Sequence, residues 1–122
     1  MAPLKSNTVV SAFVRFKSAT GQKGKARPVL IFKRPGEYAI GLKITTAYEN
    51  KPDYLKKVFY EIQDWQAAGL RKKSWVDTAF RIDLRQMEVT QVIGALKPRD
   101  VRGLKAFYQK RQSSQGIVRP SK

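Results

Sequence analysis

The sequence predicts a small, mainly antiparallel β-barrel with one helix packed against it near the C-terminus. Short apolar runs separated by turn residues recur along most of the chain, which is typical of β-strands. One longer segment, in which apolar residues have helical spacing, follows them. The 122 residues are enough for one hydrophobic core, and neither a repeat nor a linker divides them. We therefore expect a single domain over residues 1–122.

The first three strands are predicted to form a meander. Residues 9–16 alternate between apolar and polar positions, which indicates a strand. A loop rich in Gly and Lys follows at residues 20–25, and the apolar run 29–32 then predicts a short, buried central strand. Residues 38–46 alternate again, with Tyr, Ile, Leu and Ile on one face, and predict the third strand.

The middle of the chain predicts more strands around one helical turn. The strands are expected at residues 55–62, 74–84 and 88–92. Between the first two of them, residues 64–70 indicate a single helical turn. Asp64 suits its N-cap and Gly69 suits its C-terminal end.

The clearest helix is predicted over residues 98–112. Pro98 suits the first turn, and Asp100 complements the positive end of the helix dipole. The apolar stripe consists of Val101, Leu104, Phe107 and Tyr108. The flanking residues 1–7 and 113–122 are expected to be flexible.

The charge balance points to a polyanionic partner. The chain carries 25 Lys and Arg against 9 Asp and Glu, a formal net charge of +16. Such an excess repels itself in a compact domain unless a polyanion neutralises it. Nucleic acid fits best. An anionic membrane fits less well, because the sequence shows no long basic amphipathic helix. An acidic protein partner is also compatible.

The absence of histidine and cysteine narrows the chemistry. Without cysteine, neither disulfides nor thiolate metal sites are possible. Without histidine, the chain lacks the commonest metal ligand and the commonest general base. Catalysis would have to use Arg, Lys, Thr, Ser, Tyr, Asp or Glu. We expect no cofactor and no metal. The N-terminus shows no signal-peptide run, which predicts a cytoplasmic protein.

Arg27 is the first candidate for a phosphate ligand. It lies where the basic loop meets the apolar run, immediately before Pro28, which is expected to delay the start of the strand. A guanidinium can donate two parallel hydrogen bonds to a phosphate.

The order of several short segments resembles the MazF/PemK family of toxins from bacterial toxin–antitoxin pairs. These segments are RPVLI (27–31), ITT (44–46), WQAAGL (65–70), SWV (74–76), RID (81–83) and IGAL (93–96). The resemblance covers about residues 9–107. It implies a compact SH3-like barrel with a C-terminal helix, usually a homodimer. It also implies a sequence-specific endoribonuclease that needs no metal and is silenced by an antitoxin, expected here to be acidic and partly disordered.

The resemblance implies specific roles for a few residues. Arg27 and Thr45 match residues that are catalytic in relatives, and Asp77 matches, more weakly, an acidic residue of the PemK branch. That branch also uses a histidine, which this chain lacks. The loop before Arg27 carries Lys23 and Lys25 instead of an acidic residue. Both departures favour a scheme built on Arg27 and Thr45.

Cleavage of RNA without a metal uses the neighbouring 2′-hydroxyl as the nucleophile. Arg27 would neutralise a non-bridging phosphate oxygen, and Thr45 would offer a neutral hydrogen bond. Arginine is a poor proton donor because its pKa is very high. The candidates for contacts with single-stranded RNA are Lys17, Lys23, Lys25, Thr46, Tyr48, Arg71, Lys72 and Lys73.

The sequence is also compatible with two other functions. The same charge and fold would suit a nucleic-acid-binding barrel without catalysis. They would also suit a toxin of the CcdB kind, which has a similar fold and acts by binding a protein. A threonine beside Arg27 favours the enzyme, because a protein that only binds RNA has no need of it.

Overall fold

The structure is a computed structural model that describes residues 5–18 and 21–118, with side chains for residues 5–15 and 24–111. Six antiparallel strands form one sheet, and a long helix follows them. The strands are β1 (Thr8–Ser18), β2 (Gly21–Phe32), β3 (Ile40–Thr45), β4 (Phe59–Glu61), β5 (Trp75–Ile82) and β6 (Met87–Ala95). The helices are α1 (Asp53–Lys56), a 3-10 turn (Leu84–Gln86) and α2 (Pro98–Val118).

The predicted class, mainly β with a C-terminal helix, is confirmed. The strand order is β4-β5-β3-β2-β1-β6, so β4 and β6 are the two edges. Within the described residues these edges do not pair, and the sheet is open. It nevertheless curls, because Ile82 of β5 and Met87 of β6 pack into one apolar cluster with Val10, Val29 and Ile31.

The 3-10 turn joins β5 to β6 and carries its own cap. The Asp83 carboxylate accepts a hydrogen bond from the backbone N–H of Arg85 at 2.8 Å and another from its Nη2 at 2.8 Å. These bonds from Arg85 lower the pKa of Asp83 to about 2. Gln86 completes a capping box by donating its backbone N–H to Asp83 and accepting from the Asp83 backbone.

The second apolar cluster lies on the other face of the sheet, under α2. Leu104 and Tyr108 of α2 are buried against it, and Val101 packs beside them. Phe107 is partly buried and meets Tyr60 edge-on, with ring centroids 5.7 Å apart. The predicted apolar stripe of this helix is therefore confirmed. The helix extends beyond its predicted end at residue 112, to Val118.

The predicted loop before Arg27 is mostly strand. Lys25 pairs with Val14, and the β1–β2 ladder continues to the Ser18–Gly21 pair, so residues 21–25 belong to β2. Residues 19 and 20 lie outside the described residues. Pro28 does not delay the strand either. It lies within β2 and is paired on one side only, with β1, because the pairing of β2 with β3 starts at Val29. A proline is tolerated there, since its missing N–H is not needed by a second neighbouring strand.

Two other predicted strands are shorter than expected. A strand was predicted over residues 55–62, but the first two of these residues belong to α1, and only Phe59–Glu61 pair as β4. Asp53 in the first turn of α1 favours the helix, because its negative charge complements the helix dipole. Tyr38 lies outside β3 and is almost fully exposed, because the turn at residues 34–37 delays the strand to Ile40.

The helical turn at residues 64–70 is confirmed. Leu70 N–H donates to the Trp65 carbonyl at 3.0 Å, and Gly69 N–H donates to Gln66 at 3.1 Å, the bond pattern of a Schellman motif. Gly69 has a φ of 97°, as this motif requires. Gly94 of β6 lies against the Ala68 carbonyl with no room for a side chain, so the turn packs directly on the edge strand.

Asp100 has a larger role than the predicted helix-dipole contact. It is fully buried, and its carboxylate accepts hydrogen bonds from Tyr60 Oη, Gln63 N and Asp64 N, each at 2.8 Å. Burial and the bond to Asp100 raise the pKa of Tyr60. The first turn of α2 is thereby fixed to the chain that leaves β4.

None of the described helices is long and apolar enough to cross a membrane.

We expect Asp100→Asn to lower the free energy of unfolding by about 2–3 kcal/mol, because an amide nitrogen would face donors that then lose their acceptor. Asp64→Asn is the matched control. Its carboxylate pairs with Arg99 at 2.7 Å on the surface, and we expect a much smaller loss. Urea unfolding of both variants measures the difference. Equal effects would show that Asp100 is not the anchor of α2.

Candidate nucleic-acid interface

A wide irregularity in β5 shapes the candidate site. Lys43 of β3 pairs with Asp77, whereas the preceding residue Leu42 pairs with Arg81. Residues 78–80 therefore have no partner on β3 and bulge out of the ladder. Bulges bend a strand and redirect its side chains, and they are common beside functional sites.

The bulge is held in place by the residue before β4 and by α2. Thr78 donates its N–H at 3.0 Å and its hydroxyl at 2.7 Å to the Val58 carbonyl. Its hydroxyl oxygen also accepts a hydrogen bond from Arg111 of α2 at 3.0 Å. Thr78 is buried, whereas Phe80, at the other end of the bulge, lies at the surface with 42% of it exposed.

Two cations lie against the Phe80 ring. Lys43 Nζ is 4.8 Å from the ring centroid, and Arg27 Cζ is 5.9 Å from it, both within the range of cation–π attraction. Arg27 Nε is buried, and no described residue accepts a hydrogen bond from it. A buried donor without a partner is rare and costly, so an acceptor from outside the chain would stabilise this guanidinium.

The electrostatics around Lys43 are strongly positive. Burial lowers the pKa of Lys43, and the positive charge of Arg27 lowers it further. Lys51 and Lys25 act in the same direction, and Asp77 opposes them. We call these five charged residues and the aromatic ring of Phe80 the Phe80 cluster, which consists of Lys25, Arg27, Lys43, Lys51, Asp77 and Phe80. One carboxylate faces four cations, which is the balance expected of an anion site.

Part of the cluster lines a surface pocket of about 310 Å³. Lys43, Lys51 and Asp77 provide its polar wall, and Phe80 and Phe59 provide apolar surface. The Asp77 carboxylate accepts the backbone N–H of Ala79 at 3.0 Å, so the bulge itself orients it. A pocket with cations, one carboxylate and an aromatic rim suits a nucleotide better than a purely apolar ligand.

Thr45 lies on the same face of the sheet as Arg27 and Lys43. The β2–β3 ladder ends at the Val29–Lys43 pair, and Arg27 and Thr45 each lie two residues further along. Because residues two apart in a strand share a face, all three side chains start from one side of the sheet. The Thr45 hydroxyl accepts the Ala47 N–H at 3.0 Å, which leaves its own hydrogen free to donate.

Other predicted RNA contacts gather on the opposite face. Thr46, Arg71 and Lys72 line a groove of about 530 Å³, together with Pro28. Pro28 follows Arg27 directly, so the two side chains project from opposite faces of β2. The structure therefore divides the predicted contacts between the Phe80 cluster and this groove.

The remaining predicted contacts are engaged within the protein or lie outside the described side chains. Tyr48 stacks on the buried Trp75, with ring centroids 4.5 Å apart. Lys73 pairs with Glu61 at 3.2 Å. The backbones of Lys17 and Lys23 lie in β1 and β2, and their side chains lie outside the described residues.

Sequence reasoning missed Lys43, Lys51 and Phe80. A signal for Lys43 was present, since it is the one charged residue in the apolar strand β3. No sequence signal marked Phe80, because its exposure depends on the bulge in β5. In a regular strand, Phe80 would have paired with a residue of β3.

The sequence matches no protein-family model and no curated protein.

We expect the double variant Lys25→Gln/Lys51→Gln to bind single-stranded RNA more weakly and with less dependence on salt. Each lost phosphate contact should reduce the slope of log K against log salt by about 0.7. Lys105→Gln/Lys110→Gln, which removes the same charge from exposed positions of α2, is the control. Fluorescence anisotropy with a 2′-O-methylated RNA measures both. An equal effect of the two double variants would mean that the charge acts without a defined site.

Proposed function

We propose that this protein is a metal-independent endoribonuclease that cleaves single-stranded RNA at the Phe80 cluster. The observation that carries the proposal is the Arg27 guanidinium among Lys25, Lys43 and Lys51, with a buried Nε for which the described residues offer no acceptor. We further propose that it is a toxin of the MazF/PemK kind with an SH3-like barrel. The resemblance of the short segments and the curled, mainly β sheet support that class.

The chemistry follows from the charges that the reaction develops. The 2′-oxygen attacks phosphorus, a bond from phosphorus to that oxygen forms, and the bond to the 5′-oxygen breaks. Negative charge builds up on the non-bridging oxygens in the transition state. Arg27 starts from the paired strand β2 and its guanidinium lies against the Phe80 ring, so it needs little reorganisation to meet this charge. The positive charge that a metal ion would supply is already provided by the cluster.

Thr45 and Asp77 complete the scheme. The Thr45 hydroxyl accepts from Ala47 and keeps a hydrogen to donate to a phosphate oxygen. One oxygen of Asp77 is engaged by Ala79 N–H, and the carboxylate retains capacity to accept the proton of the 2′-hydroxyl. Asp77 lines the same pocket as Phe80, on which a base can stack.

A non-catalytic nucleic-acid-binding protein is the second candidate. The groove with Thr46, Arg71 and Lys72 favours it, because cations outside the Phe80 cluster extend the charged surface without adding catalytic groups. The two functions differ in one measurable property. In an enzyme, Arg27 is needed for cleavage of RNA that is already bound, whereas a protein that only binds RNA has no step after binding that needs Arg27.

The proposal extends to partners and compartment. β6 is an edge strand on which Val89 and Val92 are exposed, and such an edge supports a homodimer, which light scattering would detect. An acidic antitoxin would cover Lys25 and Arg27 and would compete with RNA for them. A cytoplasmic location would bring the protein into contact with messenger RNA.

We expect Arg27→Ala to lower the rate of RNA cleavage in EDTA by about 10²–10³-fold, because one preorganised donor to the transition state is lost. Arg34→Ala is the matched control, since Arg34 lies over Tyr108, 5.3 Å from the ring centroid, on the other side of the sheet. Single-turnover cleavage of a labelled RNA measures both variants. An Arg27→Ala protein that cleaves at the wild-type rate, or cleavage that stops in EDTA and returns with magnesium, would overturn the proposal.

A further inference from the structure

Lys43 is a titratable group at the centre of the Phe80 cluster, and the roles proposed for Arg27, Thr45 and Asp77 leave it without one. Its neighbours across the sheet are Val29 of β2 and Asp77 of β5. Its Nζ lies 4.8 Å from the Phe80 ring centroid, at the wall of the 310 Å³ pocket. Arg27 approaches the same ring from a neighbouring pocket of about 400 Å³, which Phe80 also lines, and its charge acts on Lys43. A phosphate at the Phe80 rim that the two pockets share can meet both cations.

The surroundings of Lys43 disfavour its charged form. β2 presents Arg27 and Lys25, β5 presents Asp77, and the segment before α1 presents Lys51. Burial is the largest cause of the lowered pKa of Lys43, Arg27 is the next, and Asp77 alone raises it. A lysine in such a place gives up its proton more readily than a lysine in water.

We propose that Lys43 is the general acid of RNA cleavage and donates its proton to the leaving 5′-oxygen. This role rests on the proposed function. The 2′-oxygen forms its bond to phosphorus while its proton passes to the Asp77 carboxylate. The bond from phosphorus to the 5′-oxygen breaks, its electron pair stays on that oxygen, and the oxygen takes a proton from Lys43 Nζ. The products are a 2′,3′-cyclic phosphate and a 5′-hydroxyl, and proton exchange with water restores Lys43 and Asp77.

Lys43 suits this step better than Arg27. The guanidinium of arginine keeps its proton at any ordinary pH, so Arg27 stabilises charge but does not transfer a proton. The chain contains no histidine to act in its place. A positioned acid typically accelerates such reactions by about 10²–10⁴-fold.

A purely structural role would make different predictions. The stem of Lys43 covers the sheet and its ammonium rests on Phe80, which would by itself explain a lysine at this position. Lys43→Arg keeps the positive charge and the contact with the ring but cannot donate a proton. Lys43→Gln removes the charge as well, and Lys105→Arg on the exposed face of α2 is the matched control for the substitution itself.

The test compares two RNA substrates in single-turnover cleavage. One is ordinary RNA, and the other has sulfur in place of the bridging 5′-oxygen at the scissile bond, a leaving group that needs no proton. We expect Lys43→Arg to cleave ordinary RNA about 10²-fold more slowly than wild type and to cleave the sulfur substrate at nearly the wild-type rate. Lys43→Gln should show the same rescue, whereas Arg27→Ala should be slow on both substrates and Lys105→Arg normal on both.

The outcomes separate the two proposals. Wild-type cleavage of ordinary RNA by Lys43→Arg, or an equal deficit on both substrates, would overturn the role of Lys43 and leave the proposed function intact. A wild-type protein that cleaves neither substrate would overturn the proposed function and this role with it. Far-ultraviolet circular dichroism and urea unfolding of each variant verify that the rates belong to folded protein.

Discussion

Mutual repulsion among the cations around Phe80 is the constraint on which the site depends. Arg27, Lys51 and Lys25 each disfavour the charged form of Lys43, and among the described residues Asp77 opposes them. Left to themselves, such side chains would move apart into water. Lys25, Arg27 and Lys43 stay together because the adjacent strands β2 and β3 fix their backbones, and the Phe80 ring attracts Arg27 and Lys43. We propose that a bound phosphate offsets the cost of this arrangement, as in other preorganised anion sites.

The rest of the fold keeps the bulge of β5 in place. Thr78 is hydrogen-bonded to Val58, just before β4, and to Arg111 of α2, so the position of Phe80 depends on the docking of that helix. Asp100 fixes the first turn of α2 to the segment after β4. The helix and the site are thus mechanically linked, although they lie on opposite faces of the sheet.

Local rules explain which parts could be predicted from the sequence. The Schellman motif at Gly69 and the stripe of Leu104 and Tyr108 follow from residue types and spacing, which act over a few residues. Arg27 stood out because of the charge around it. Pro28 was misinterpreted, because its tolerance depends on which neighbouring strand pairs beside it. Phe80 joined the site only through a register shift between distant strands, and no local pattern specifies that shift.

The central claim is that the Phe80 cluster uses the 2′-hydroxyl of bound RNA as its nucleophile. Its most direct test is mass spectrometry of the fragments from two RNA strands incubated in EDTA, one all-ribose and one with a single 2′-deoxyribose on the 5′ side of the mapped scissile bond. We expect a 2′,3′-cyclic phosphate and a 5′-hydroxyl from the first strand, and no cut at that bond in the second strand although it still binds. Cleavage of the deoxyribose bond, or binding of the all-ribose strand without any cleavage, would contradict the claim.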